Sequence, residues 1–135
     1  MTFSKIALTM TTLFLLIGCS STPEDAVHNV YDAIKDGDMP KLINNSNYAV
    51  RGAFIRTALY ECSLDKSKYT DDDLKLVEEC LREKYANIDI KISSTIMLSD
   101  TKADINITMY SNVQGLKHQL KVEKIEHKWK VVGGE

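Results

Sequence analysis

An excess of either charge is the first thing missing from this sequence: 17 Lys and Arg stand against 19 Asp and Glu, a formal net charge of −2. Without a basic excess nothing can neutralise a phosphate backbone, so no nucleic-acid partner is expected. Metal-site patterns are missing too. The three cysteines form no CxxC pair, and no histidine lies within a few residues of Cys62 or Cys80, which excludes a structural zinc site. Asp71-Asp72-Asp73 lacks the alternating ligands and turn glycine of a calcium loop. Three acids opening a helix suit its dipole instead. No metal and no cofactor are expected. Membrane-spanning length is also lacking. The apolar run Ile6 to Gly18 covers thirteen residues, against the roughly 20 that a crossing helix needs.

That short run is informative in its own right. Lys5 precedes it, no charge interrupts it, and the small polar residues Ser20-Ser21-Thr22 follow Cys19. Its length suits the apolar region of a secretory signal peptide. Leu16-Ile17-Gly18-Cys19 resembles the bacterial lipobox. The resemblance implies that the Cys19 thiol receives diacylglycerol, that the chain is cut between Gly18 and Cys19, and that the new amino terminus is acylated. Two or more acyl chains anchor a protein stably, where one gives only marginal binding. An unlipidated core cysteine after a buried helix is the alternative. In the sorting rule of this lipoprotein class, Ser20 resembles an outer-membrane signal. The expected organisation is a signal peptide at 1–18, a lipidated tether at 19–22 and one small domain at 23–135. The mature chain would hold 16 basic and 19 acidic residues, a net charge of −3.

With Cys19 set aside, Cys62 and Cys80 remain. An exported domain meets an oxidising compartment, so the pair reads as one disulfide, with two free buried thiols as the alternative.

The domain begins with helical signals. Thr22 can cap a helix, Pro23 suits its first position, and Glu24 and Asp25 suit its positive end. Val27, Val30, Tyr31 and Ile34 form one apolar stripe. Gly37 ends that helix with a left-handed cap, and Asp38 with Pro40 starts a short one to about Asn45. Val50, Phe54, Ile55, Ala58 and Leu59 place a third helix over Tyr48 to Glu61. A fourth opens with Thr70 and Asp73 as a capping box and Tyr69 with Leu74 as a hydrophobic staple. Val77, Leu81 and Tyr85 share a face with Leu74, and Leu76 and Cys80 lie beside it. Tyr48, Tyr60, Tyr69 and Tyr85 are expected to pack on the core, with a protein-binding surface as the alternative.

From Ile88 the apolar period changes from 3.6 to 2. Inward positions are expected at Ile88, Ile90, Ile92, Ser94, Ile96 and Leu98 in a first strand, and at Ile105, Ile107 and Met109 in a second. Leu116, His118, Leu120 and Val122 follow in a third, and Trp129 and Val131 in a fourth. A bulge or turn must absorb a parity slip near Lys124-Ile125. The expected fold class is α+β: N-terminal helices packed on a curved four-stranded antiparallel sheet.

Thr22 to Ile43, TPEDAVHNVYDAIKDGDMPKLI, resembles the opening of NTF2-like (cystatin-like) lipoprotein domains of the DUF4878 type, with Gly37-Asp38 at the family's Gly-Asp pair. KWKVV around Trp129 resembles the family's final strand. The resemblance implies a cone, with a helix held in the curved sheet, that either encloses a ligand or is filled by side chains. The ketosteroid-isomerase branch of the fold carries a carboxylate in the cone, but no inward sheet position here is acidic. His118 is the one candidate for acid-base work, and it needs an orienting partner that the sequence does not name. The expectation is therefore a lipid-anchored envelope protein, not an enzyme, that binds a small apolar ligand or an envelope protein. An envelope inhibitor or immunity lipoprotein, and a small hydrolase or isomerase using His118, are the alternatives.

Overall fold

The computed structural model describes residues 21–62, 71–111 and 114–135. In chain order these form α1 (Pro23–Asp36), α2 (Met39–Asn44), α3 (Tyr48–Glu61) and α4 (Asp71–Tyr85), then β1 (Ile88–Ser99), β2 (Lys102–Ser111), β3 (Gln114–Ile125) and β4 (Lys128–Gly134). Gly18, Cys19 and the Tyr69 and Thr70 start signals of α4 lie outside the described residues. The strands pair antiparallel in the order β1-β2-β3-β4, so the chain has the expected α+β class, helices first and an open meander after.

The helix ends follow their sequence signals. The Thr22 hydroxyl accepts the Asp25 N–H at 3.2 Å, while the Asp25 carboxylate accepts the Thr22 N–H at 3.0 Å. That is a reciprocal capping box closed by aspartate. Gly37 ends α1 at φ 67°. A Cβ there would stand 2.5 Å from the Glu78 carbonyl of α4, so both the backbone angle and the close approach require glycine. Asp38 caps α2 by accepting the Lys41 N–H.

Helix α2 stops at Asn44 because the next residues are taken by the sheet. The Val131 N–H donates to the Asn45 carbonyl at 2.9 Å, and the Asn47 N–H donates to the Val131 carbonyl at 3.1 Å. This parallel bridge between Ser46 and Val131 covers the outer edge of β4. Asn47 then works twice. Its Oδ1 accepts the Val50 N–H and caps α3, and its Nδ2 donates to the Val132 carbonyl.

Helix α1 lies across the sheet and touches all four strands. Its buried face, Ala26, Val27, Val30, Ala33 and Ile34, meets Ala103, Ile105, Ile107, Val122, Trp129 and Val131. Val77, Cys80 and Leu81 bring α4 into the same core. Cys62 and Cys80 are joined as a disulfide, with Cα atoms 6.2 Å apart, and tie the end of α3 to α4.

Two sequence expectations need correction. In β1, Ile92 faces Ile107 and Ser94 faces Asn106, which leaves Ser93 as an extra residue. One extra residue flips every later side chain to the other face. Thr95 and Met97 therefore share the dry face with Ile105 and Ala103, while Ser94 and Ile96 turn outward and Leu98 becomes the extra residue of a second bulge. The second correction concerns the tyrosines. Tyr48 and Tyr60 do not pack on the core; they are 82% and 79% exposed, near opposite ends of α3. The slip expected near Lys124-Ile125 is the final turn, where Glu126 and His127 both take positive φ, the signature of a two-residue hairpin loop. A separate bulge makes Val132 the extra residue in β4.

Candidate functional site

An apolar groove of about 300 Å³ opens between α1, α3 and the end of β4. One wall is Val30 and Tyr31 of α1. The second is Ala49, Val50, Ala53 and Phe54 of α3, two adjacent pairs one helical turn apart. The floor is Leu120 of β3 with Val131 to Gly134 of β4. Small residues line two of its sides: Ala49 and Ala53 on α3, Gly133 and Gly134 on β4. Gly134 pairs with Leu120, and a Cβ on it would meet the Leu120 side chain at 2.7 Å. The groove's volume is at the lower end of the range for small-molecule sites, and its apolar walls with few polar groups match their usual chemistry.

The Tyr31 phenol is the one titratable group on the walls. Burial pushes its pKa above the ordinary 10.0, because the phenolate is poorly solvated there. The groove therefore offers a neutral hydroxyl and no charge. It is equipped to hold an apolar body, with at most one hydrogen bond to orient it.

His118 sits elsewhere. It pairs with Ile107 on β2, and its Nδ1 lies 3.3 Å from the main-chain oxygen of Glu135. Among the described residues no Asp or Glu side chain hydrogen-bonds its ring. The hollow beside it, about 530 Å³, is lined by polar side chains that include Ser94, Asn106 and Gln119. Those three are tied to one another: Asn106 Nδ2 donates to Ser94 Oγ, and Gln119 Nε2 donates to Asn106 Oδ1. The side-chain carboxylate that orients the histidine of a catalytic triad is not found beside it among the described residues. Among the described residues no cluster of three or more His, Cys, Asp or Glu could hold a metal ion, and no helix is long and apolar enough to cross a membrane.

The family model DUF4878, a domain of unknown function, matches residues 17–132. This chain belongs to the DUF4878 family. Among curated proteins none is similar in sequence to this DUF4878 chain. Three solved structures are similar at 16% identity each. One is a candidate NTF2-like transpeptidase from Campylobacter jejuni, with a TM-score of 0.48, covering 84% of this chain and 99% of that one. One is an NTF2-like protein of unknown function from Shewanella oneidensis, with a TM-score of 0.45, covering 84% and 97%. One is a phospholipid-binding protein from Ralstonia solanacearum in complex with a phospholipid, with a TM-score of 0.42, covering 87% and 76%. At that distance no residue role is carried over from them to the DUF4878 domain.

The residues singled out from sequence thus go to different places. Cys62 and Cys80 meet; His118 stands apart from the groove; Gly18 and Cys19 lie outside the described residues. The groove residues were read only as helix stripe and strand. The usable signal was Ala49 and Ala53, four apart, together with Gly133-Gly134, because small residues on two packed elements leave a gap that their neighbours do not fill.

Proposed function

We propose that this DUF4878 protein is a lipid-anchored lipoprotein of the cell envelope, acylated at Cys19 after cleavage behind Gly18. Its NTF2-like domain is a binding module, not an enzyme, and it takes a small apolar ligand in the groove between α1, α3 and β4. Ser20 supports an outer-membrane destination. The groove carries the binding half of this reading, since its walls combine an adequate volume with no charge. The Ralstonia neighbour's phospholipid, at a TM-score of 0.42, adds no weight to it.

A fluorescent medium-chain fatty acid tests the groove. The full-length protein should bind it and shift its emission to the blue. Ala53→Trp, which fills the groove from an exposed helix position, should weaken binding about tenfold and leave the thermal midpoint unchanged. No binding by the wild type, or equal binding by the variant, would overturn the reading.

The exposed Tyr48 and Tyr60 favour a second reading, in which the domain binds an envelope protein as an inhibitor or immunity lipoprotein. A partner captured from envelope extract by the wild type, and lost on Tyr48→Ser, would support it.

A further inference from the structure

The β1–β2 hairpin ends in three consecutive apolar residues that the fold leaves open: Ile96, Met97 and Leu98 are 47%, 53% and 59% exposed. They occupy both faces of the strand, so a single packed layer cannot cover all three. We infer that this hairpin tip inserts into the interface of the same bilayer that holds the Cys19 lipid, which fixes the orientation of the domain on the membrane. The inference rests on the proposed acylation of Cys19.

The start of α1 sets the geometry. Glu24 Oε1 accepts the Thr95 hydroxyl at 2.7 Å, so the first turn of the first helix is pinned beside β1, next to the tip. Leu98 is three residues beyond Thr95, about 10 Å along an extended strand. From Cys19 to Pro23 the tether has four residues, with a reach of about 14 Å at most. A tether that short cannot hold the domain away from the headgroups. The surface it brings down is the one around the α1 start, and there Ile96, Met97 and Leu98 project. Apolar side chains of interfacial segments enter about 5–10 Å into the headgroup boundary, a depth the strand end can reach.

The charges at this end leave the contact to the apolar groups. The two hairpin turns lie side by side, joined by the Lys124 N–H donating to the Thr101 carbonyl at 2.8 Å. Lys102, Lys124 and Lys128 are balanced at the turns by Asp100, Glu123 and Glu126, Lys102 pairs with Glu123 at 3.9 Å, and Glu24 and Asp25 in the first turn of α1 leave this end net acidic. No attraction to anionic lipid is built in, so added salt should not weaken the docking.

Cysteine labelling in native membranes tests this. Leu98→Cys and Leu116→Cys are made in the full chain. Leu116 is a comparable exposed position on β3, towards the opposite end of the sheet. Membranes are treated with a water-soluble maleimide, and each rate is normalised to the same sample in urea. Leu98→Cys should label about tenfold more slowly than Leu116→Cys, at low and high salt alike. Labelled palmitate is followed in the same proteins and in Cys19→Ala. Palmitate incorporation with equal labelling of the two sites would overturn the docking alone. Failure to incorporate palmitate, or equal incorporation by Cys19→Ala, would overturn the anchoring and the docking together. A ratio that collapses to one at high salt would also overturn it, since it would assign the contact to charge.

Discussion

The two edge strands of this sheet are handled in opposite ways. β4 is sealed. Residues 45–47 hydrogen-bond its outer edge at Val131, Asn47 holds Val132 as well, and Trp129 and Val131 are buried under the helices. β1 is left open along its last third. Among the described residues no segment bonds its free edge, two bulges interrupt its ladder, and its final apolar residues are exposed. An unpaired edge invites association, and bulges are one device that blunts it. The contrast teaches that exposed apolar surface here is localised: the sealed edge frames a concave groove, and the open edge ends in a convex tip.

Removing the anchor of the sealed edge should have the largest effect. Trp129→Ala leaves a void in the core beneath α1 and should cost about 3–5 kcal/mol in urea unfolding. A loss near that of a surface residue would show that β4 is no better packed than β1. Asn47→Ala comes next. It removes the α3 cap and the Val132 contact together, for about 1–2 kcal/mol, and it should also loosen the α3 wall and weaken fatty-acid binding to the groove.

Thr95→Val tests the side-chain hydrogen bond between α1 and β1's outer half, and should cost about 1 kcal/mol at neutral pH. It carries a pH signature. The Thr95 hydroxyl holds the Glu24 carboxyl below its ordinary value of 4.5, against a smaller opposing effect of burial. A depressed acid adds stability that is fully present above the unfolded-state value and is lost as pH falls through the folded one. The wild type should therefore lose this increment below about pH 4.5, and Thr95→Val should show a shallower acid limb. Identical limbs would remove the link. Leu98→Ser should matter least to folding, within about 0.5 kcal/mol. A larger loss would mean that the tip is packed against something in the folded domain, and the contrast between the edges would fail.

Much of the architecture was legible because it is written in local patterns. Thr22, Pro23 and Gly37 bound α1 whatever it packs against, since caps answer the backbone groups a helix end leaves unpaired. The change of apolar period at Ile88 marked the passage from helices to strands, because side-chain direction repeats every 3.6 residues in one and every 2 in the other. The Cys19 motif is equally local, and its reading remains a proposal drawn from sequence. Ser93 was not legible as a bulge. Nothing in a run of serine and threonine says which residue a partner strand will skip, and that single residue decided that Ile96 faces outward and Thr95 inward.

Composition and spacing alone determined the order of elements, the stripe of α1, the dearth of inward acids on the sheet and the absence of a charge excess. Only the tertiary structure decided that Ala49 and Ala53 would line a groove with Gly133 and Gly134, that residues 45–47 would close the β4 edge, and that Glu24 would reach Thr95. These bring together residues 71 to 86 positions apart along the chain, and they depend on how an α-helix and a twisted, bulged sheet fit together in space. No local preference encodes that fit; it emerges when the apolar stripe of α1 is buried against all four strands at once.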